Sequence, residues 1–201
     1  MIAIKELLKS LLKPGSTKAD IFRFLFKLIL FYLVLNYFFM ACQGLTVPGG
    51  RFYSPFILEH LDFISPFRKF LLWGGARFAS LIGYPSGYTD YNLFVYGGSR
   101  VRMVYSCLGF SLMSAYAALV LAWPAKWFYQ VISLAIGWIT IILLNMVRLG
   151  GLAVLYTTGN YGFFKYINHH DLFNIIVLVA AFLMFAIHIK YSAGKKVDSA
   201  A

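Results

Sequence analysis

The sequence predicts an all-α integral membrane protein with about four transmembrane helices, interfacial helices and a short outer β-hairpin. Of its 201 residues, 61% are hydrophobic and 12% charged, far more apolar than the roughly half expected of a soluble domain. Four apolar runs are near or at the length of a membrane span, and the last three of them hold no Asp, Glu, Lys or Arg. The third observation is charge: 18 Lys and Arg against 7 Asp and Glu give a net +11, with cations beside apolar runs as in proteins oriented by positive cytoplasmic flanks. In a soluble chain that excess would suggest nucleic acid. With this hydropathy it points to lipid headgroups instead, and a nucleic-acid binder or cytosolic hydrolase is excluded. The partner that composition implies is the lipid bilayer.

No composition break divides the chain, so residues 1–201 read as one membrane-embedded domain. Residues 1–18 alternate Lys5, Lys9, Lys13 and Lys18 with paired leucines, a basic amphipathic segment for the cytoplasmic surface. Ile21 to Ala41 is long enough to cross ~30 Å of hydrocarbon. Met40-Ala41-Cys42 offers a competing reading as a lipoprotein-type cleavage site, but the apolar run exceeds a signal peptide's core. Residues 44–105 are expected to be mostly external or interfacial. Phe56 to Tyr84 is rich in Phe, Leu and Trp yet holds Glu59, Asp62, Arg68, Lys69 and Arg77, charges that favour interfacial or re-entrant helices over a span. Tyr91–Tyr96 and Arg100–Tyr105 flank Gly97-Gly98-Ser99 and read as two short strands about a turn.

Residues 107–190 form the predicted helical core. Its three runs are Leu108–Trp123, Trp127–Val147 and Leu172–Ile189, with a turn expected at Gly159-Asn160. Residues 191–201, small and polar, read as a flexible tail. Cys107 lies at the start of one span, Arg148 at the end of the next and His170 just before the last. Consecutive spans cross in opposite directions, so all three fall on one side of the bilayer. Lys126, Lys190, Lys195 and Lys196 then share the cytoplasmic side with the N-terminal lysines, which places the trio at the outer face.

Those three residue types have a joint chemistry. A thiol attacks as thiolate, and an unperturbed cysteine titrates near ~8.5. A histidine takes and returns a proton near neutrality. An arginine stays protonated and stabilises a thiolate or an oxyanion. Together they provide nucleophile, general base and electrophilic stabiliser for acyl transfer. Taken singly, each has a plainer role: a cysteine as a small hydrophobe, an arginine as a snorkelling anchor, an interfacial histidine, with His169 an alternative to His170. A non-catalytic membrane scaffold or assembly protein therefore stays open, as does a disulfide between Cys42 and Cys107. Two separated cysteines with no Cys-x-x-Cys or Cys/His spacing argue against a metal site, and no cofactor is needed.

Ser106-Cys107-Leu108-Gly109-Phe110 resembles the Cys-x-Gly nucleophile motif of the exosortase and archaeosortase family of membrane transpeptidases. Asn145-Met146-Val147-Arg148 resembles its Asn-x-x-Arg motif, and His170-Asp171-Leu172-Phe173-Asn174 its third motif, a His opening the last helix. Order and spacing agree over about residues 90 to 190. The chain is similar to a compact bacterial form; Asn174 stands where longer members often have Gly. The resemblance implies that Cys107, Arg148 and His170 are catalytic, with Asn145, Gly109, Asp171, Asn174 and His169 supporting them or binding substrate. It also implies location in a bacterial inner membrane with the site outside. The substrate implied is an exported protein whose C-terminus carries a short motif, one transmembrane helix and a basic tail. Cys107 would hold it as a thioester and pass it to an acceptor. Asn145, one turn before Arg148 on the same helix face, would orient the guanidinium or bind substrate backbone, or else join two helices.

Overall fold

The computed structural model describes residues 17–46, 52–159 and 169–197, with side chains at 17, 169–172 and 193–197 outside the description. The amphipathic segment expected over 1–18 falls almost wholly outside the described residues.

Three helices are long and apolar enough to cross a membrane. The first, α1 (Thr17–Thr46), buries none of its most apolar 18-residue window against the rest of the protein. Leu25, Phe26, Ile29, Leu30, Val34 and Phe38 are exposed, the pattern of a helix solvated by lipid, where every backbone polar group must be satisfied within the helix. The other two are α5 (Trp127–Thr158) and α6 (His169–Val197). Between them in the bundle lies the shorter apolar helix α4 (Phe110–Ala122).

Ring and hydrogen-bond contacts fix the helix directions. Phe24 meets Trp123 edge-on at 5.9 Å, and Phe39 stacks on Phe110 at 4.5 Å; α1 and α4 are antiparallel. Ser111 donates to Asn36 at 3.0 Å between these two points. Tyr116 donates to the Ser133 carbonyl at 3.1 Å and the Trp138 indole to the Met113 carbonyl at 3.2 Å, so α4 and α5 are also antiparallel. Trp123 meets Phe185 at 6.1 Å. The start of α4 thus lies at the same end of the bundle as the end of α1, the far part of α5 and the start of α6.

Between α1 and the first strand the chain forms two helices, α2 (Pro55–Leu61) and α3 (Ile64–Leu81). Pro55 suits the first turn of α2, where a missing amide costs nothing. Asp62 accepts from the amides of Ile64 at 2.9 Å and Ser65 at 3.0 Å, satisfying donors that the first turn of α3 cannot pair internally. Helix α3 lies directly on α5: a Cβ added at Gly150 would collide with the Gly75 carbonyl oxygen. Small residues at such crossings let helix backbones touch where lipid offers no hydrophobic drive.

Two features differ from the sequence prediction. The expected hairpin is a three-stranded antiparallel sheet, β1 (Ser86–Tyr88), β2 (Asn92–Val95) and β3 (Arg100–Arg102), in the order β1-β2-β3. Gly87 pairs with Phe94 and Leu93 with Val101. Leu93 and Val95 point into the core, as strand alternation requires. The second difference is that α5 does not end near Val147. It continues through Arg148 to Thr158, because the sheet packs its last turns. Ser99 donates to the Ala153 carbonyl at 2.9 Å, and the Thr157 hydroxyl accepts from the Ser99 amide at 3.1 Å. Helix α6 likewise runs past its apolar stretch, to Val197.

Candidate functional site

Cys107 sits in a single 3₁₀ turn, Tyr105–Leu108, between β3 and α4. Its amide donates to the Val104 carbonyl at 2.9 Å. Gly109 follows with φ +84°, a left-handed conformation that costs other L-residues about 1–2 kcal/mol. Its carbonyl then accepts from the Met113 amide at 2.9 Å, opening α4. The glycine of the Cys-x-Gly segment therefore converts a tight turn into a helix directly behind the cysteine. Cys107 is 7% exposed.

Helix α5 faces this turn with two side chains spaced i, i+3, hence on one face. Asn145, buried, donates its amide to the Cys107 carbonyl at 2.8 Å. Arg148 Nη2 lies 3.7 Å from Cys107 Sγ. The guanidinium carbon is also 4.5 Å from the ring centroid of Phe173 in α6, so three segments distant in sequence meet around one cation. The Asn145 carbonyl oxygen is buried and has no hydrogen-bond partner among the described residues.

Beside these groups opens a cavity of about 330 Å³, lined on its polar side by Ser106, Ser111, Asn145, Arg148 and Asn174, with Gly109, Leu112, Phe173, Ile175 and Leu178 completing the wall. Of the residues singled out from sequence, Cys107, Gly109, Asn145, Arg148 and Asn174 converge here. His169, His170 and Asp171 open α6 just ahead of Phe173; their side chains lie outside the described residues. Cys42 and Cys107 are both free thiols, so the disulfide considered from sequence is not formed. Sequence reasoning missed Phe173, Ser106 and Ser111. Phe173 carried a signal, an aromatic inside the His-led segment, because a flat ring is a natural seat for a desolvated guanidinium. The serines carried none.

Asn145 is the joint between α5 and the cysteine turn. Asn145→Leu strands the Cys107 carbonyl without its donor, so thermal unfolding in detergent should show a loss of about 1–3 kcal/mol. A variant as stable as the parent would mean that water serves that carbonyl equally well.

Fold and site together define a helical membrane protein that holds a thiol and a guanidinium in contact at one end of its bundle. The chain belongs to the transmembrane exosortase family, whose model matches residues 21–187. The match begins inside α1, ends inside α6 and takes in all three motif segments. No curated protein and no solved structure matches.

Proposed function

We propose that the protein is a membrane cysteine transpeptidase that cleaves the C-terminal sorting signal of exported proteins at the outer face of the membrane. The observation that carries this is the 3.7 Å approach of Arg148 to the Cys107 sulfur beside a largely apolar cavity that also presents Ser106, Ser111, Asn145 and Asn174. Helix α4 serves as a fourth crossing. Lys18, Lys27, Lys126 and Lys190 lie toward the bundle end away from Cys107, and assigning that end to the cytoplasm puts the thiol outside. Residues 1–18 lie on the cytoplasmic surface, and residues 107–190 form the catalytic core.

In this mechanism the Cys107 thiolate adds to the scissile carbonyl carbon, its proton having passed to His170. The resulting oxyanion is met by Arg148, a cation fixed in a water-poor site before charge develops. The intermediate collapses by breaking the carbon–nitrogen bond. His170 returns the proton to the departing amine, and the body of the substrate remains as a thioester on Cys107. An acceptor amine, or water, then adds to the thioester and the thiol is expelled and reprotonated. The unpaired Asn145 oxygen is suited to an N–H of the bound chain. The substrate is a chain with a short motif, a single transmembrane helix and a basic tail; the helix brings the scissile bond to the depth of the sulfur.

Trapping the thioester tests this whichever host protein is the substrate. Protein purified from its own host membranes after rapid acid quench should carry an adduct on the Cys107 peptide that hydroxylamine removes, detectable by mass spectrometry. An unmodified Cys107 peptide in cells that are exporting and processing such proteins would refute the covalent mechanism.

A further inference from the structure

A second arginine is buried close to the site, and the mechanism above makes no use of it. Arg68, in the second turn of α3, is 4% exposed. It has no carboxylate partner among the described residues, since the neighbouring Asp90 carboxylate pairs with Lys69 at 2.9 Å. Burying a cation without a counter-ion is costly unless polar groups surround it. Arg68 is met by main chain, hydroxyls and rings. Nε donates to the Asp90 carbonyl at 2.8 Å, Nη1 to the Tyr105 hydroxyl at 3.4 Å and Nη2 to Ser65 Oγ at 3.3 Å. The guanidinium carbon is 4.0 Å from the Tyr91 ring centroid and 5.8 Å from that of Tyr105.

Apart from Ser65, these partners belong to segments leading into the cysteine turn. Tyr105 is the first residue of that turn, two positions before Cys107. The Tyr91 carbonyl accepts from the Met103 amide at 2.8 Å, tying the β1–β2 connection to the chain that feeds the turn. Burial, with Tyr91 adding to it, pushes the Tyr105 phenol above its ordinary range, against a smaller opposing pull from Arg68. The phenol therefore keeps its proton and its oxygen remains a hydrogen-bond acceptor. At the other end of this bridge, α3 rests its Gly75 backbone on Gly150, two residues past Arg148 in α5.

We propose that Arg68 is a positioning residue: it joins the Cys107 turn to the helix seated on α5, and so holds the thiol within reach of the Arg148 guanidinium. The role presupposes the thiol–guanidinium chemistry proposed above.

The test needs no substrate. In a Cys42→Ser background Cys107 is the one remaining thiol of the chain, and its alkylation by iodoacetamide is followed in detergent micelles from mildly acidic to alkaline pH. Arg68→Met, Arg148→Met and the double variant are compared, with circular dichroism and thermal unfolding as checks on the fold. Arg68→Met is expected to slow alkylation at neutral pH roughly tenfold and to displace the pH profile to the alkaline side, the same direction expected of Arg148→Met. In the Arg148→Met background it should add nothing, because no cation is left to align. Arg68→Lys, which keeps the charge but not the planar fork, should not restore the rate. If Arg68→Met does not fold, Tyr91→Leu and Tyr105→Leu cut the same bridge and carry the same expectation. Unchanged alkylation in a folded Arg68 variant, additive effects in the double variant, or full rescue by lysine would each overturn the assignment. Additivity would mean that the Arg68 charge acts on the sulfur by itself. If Arg148→Met alone leaves rate and profile untouched, it is the thiol–guanidinium proposal that fails.

Discussion

Replacing Cys107 by alanine is expected to leave the bundle folded and to stop processing, so that exported proteins ending in a single helix and a basic tail accumulate uncut in the membrane. The fold should survive because the buried hydrogen bond that Asn145 of α5 donates to the turn goes to the main-chain oxygen of residue 107, which alanine keeps. The lost sulfur leaves a small gap in a packed turn, at a cost of about 1 kcal/mol. The chemistry should not survive. Removal of a covalent nucleophile typically costs about 10³-fold or more in rate, and a hydroxyl in its place lacks the thiol's ready ionisation, so Cys107→Ser should be equally inert. Cys42→Ser, at the other free thiol, should process normally. Immunoblots of a tagged host protein with such a C-terminus read all three variants at once. Normal cleavage in Cys107→Ala would end the enzymatic interpretation.

Arg148 should rank next. Arg148→Met removes the cation that faces both the sulfur and the Phe173 ring, and a loss of about 10²- to 10³-fold in the rate of the acylation step is expected, the scale seen when a single oxyanion donor is removed. Arg148→Lys should recover only part of this. An ammonium on a flexible stem restores charge but cannot present two donors in one plane or lie flat on an aromatic face. The decisive measurement is a single-turnover rate at saturating substrate, because a group acting in the transition state lowers this rate without a matching rise in KM. An arginine serving merely as an interfacial anchor would leave the rate unchanged and alter insertion or yield instead.

What the sequence made legible follows from the solvent. Lipid cannot hydrogen-bond a backbone, so a long apolar run such as Trp127–Val147 must be helical, and its length is read directly. The alternation of span directions predicts Cys107, Arg148 and His170 on one side; Arg148 does lie 3.7 Å from the Cys107 sulfur, and the side chain of His170 is outside the described residues. The continuation of α5 to Thr158 was hidden, because the uncharged run stops at Arg148. Gly150 is where α3 settles on the helix, and the Ser99–Thr157 hydrogen bond stabilises the final turns from 58 positions away in the chain. Strand β1, Ser86–Tyr88, has little intrinsic strand preference and exists through its pairing with β2. Arg68 read as a charge to be kept in water. Two tyrosines, 23 and 37 positions downstream, enclose it, and no local pattern announces them.

The brevity of α4 has a consequence for how a target is met. Its 13 residues span only ~20 Å, against ~30 Å of hydrocarbon. Ser111, in its first turn, reaches Asn36, which lies ten residues, about three helical turns, before the end of α1. The sulfur is consequently sunk below the rim of the bundle rather than perched on it. Under the proposed function, a target helix would meet the thiol without rising out of the fatty layer.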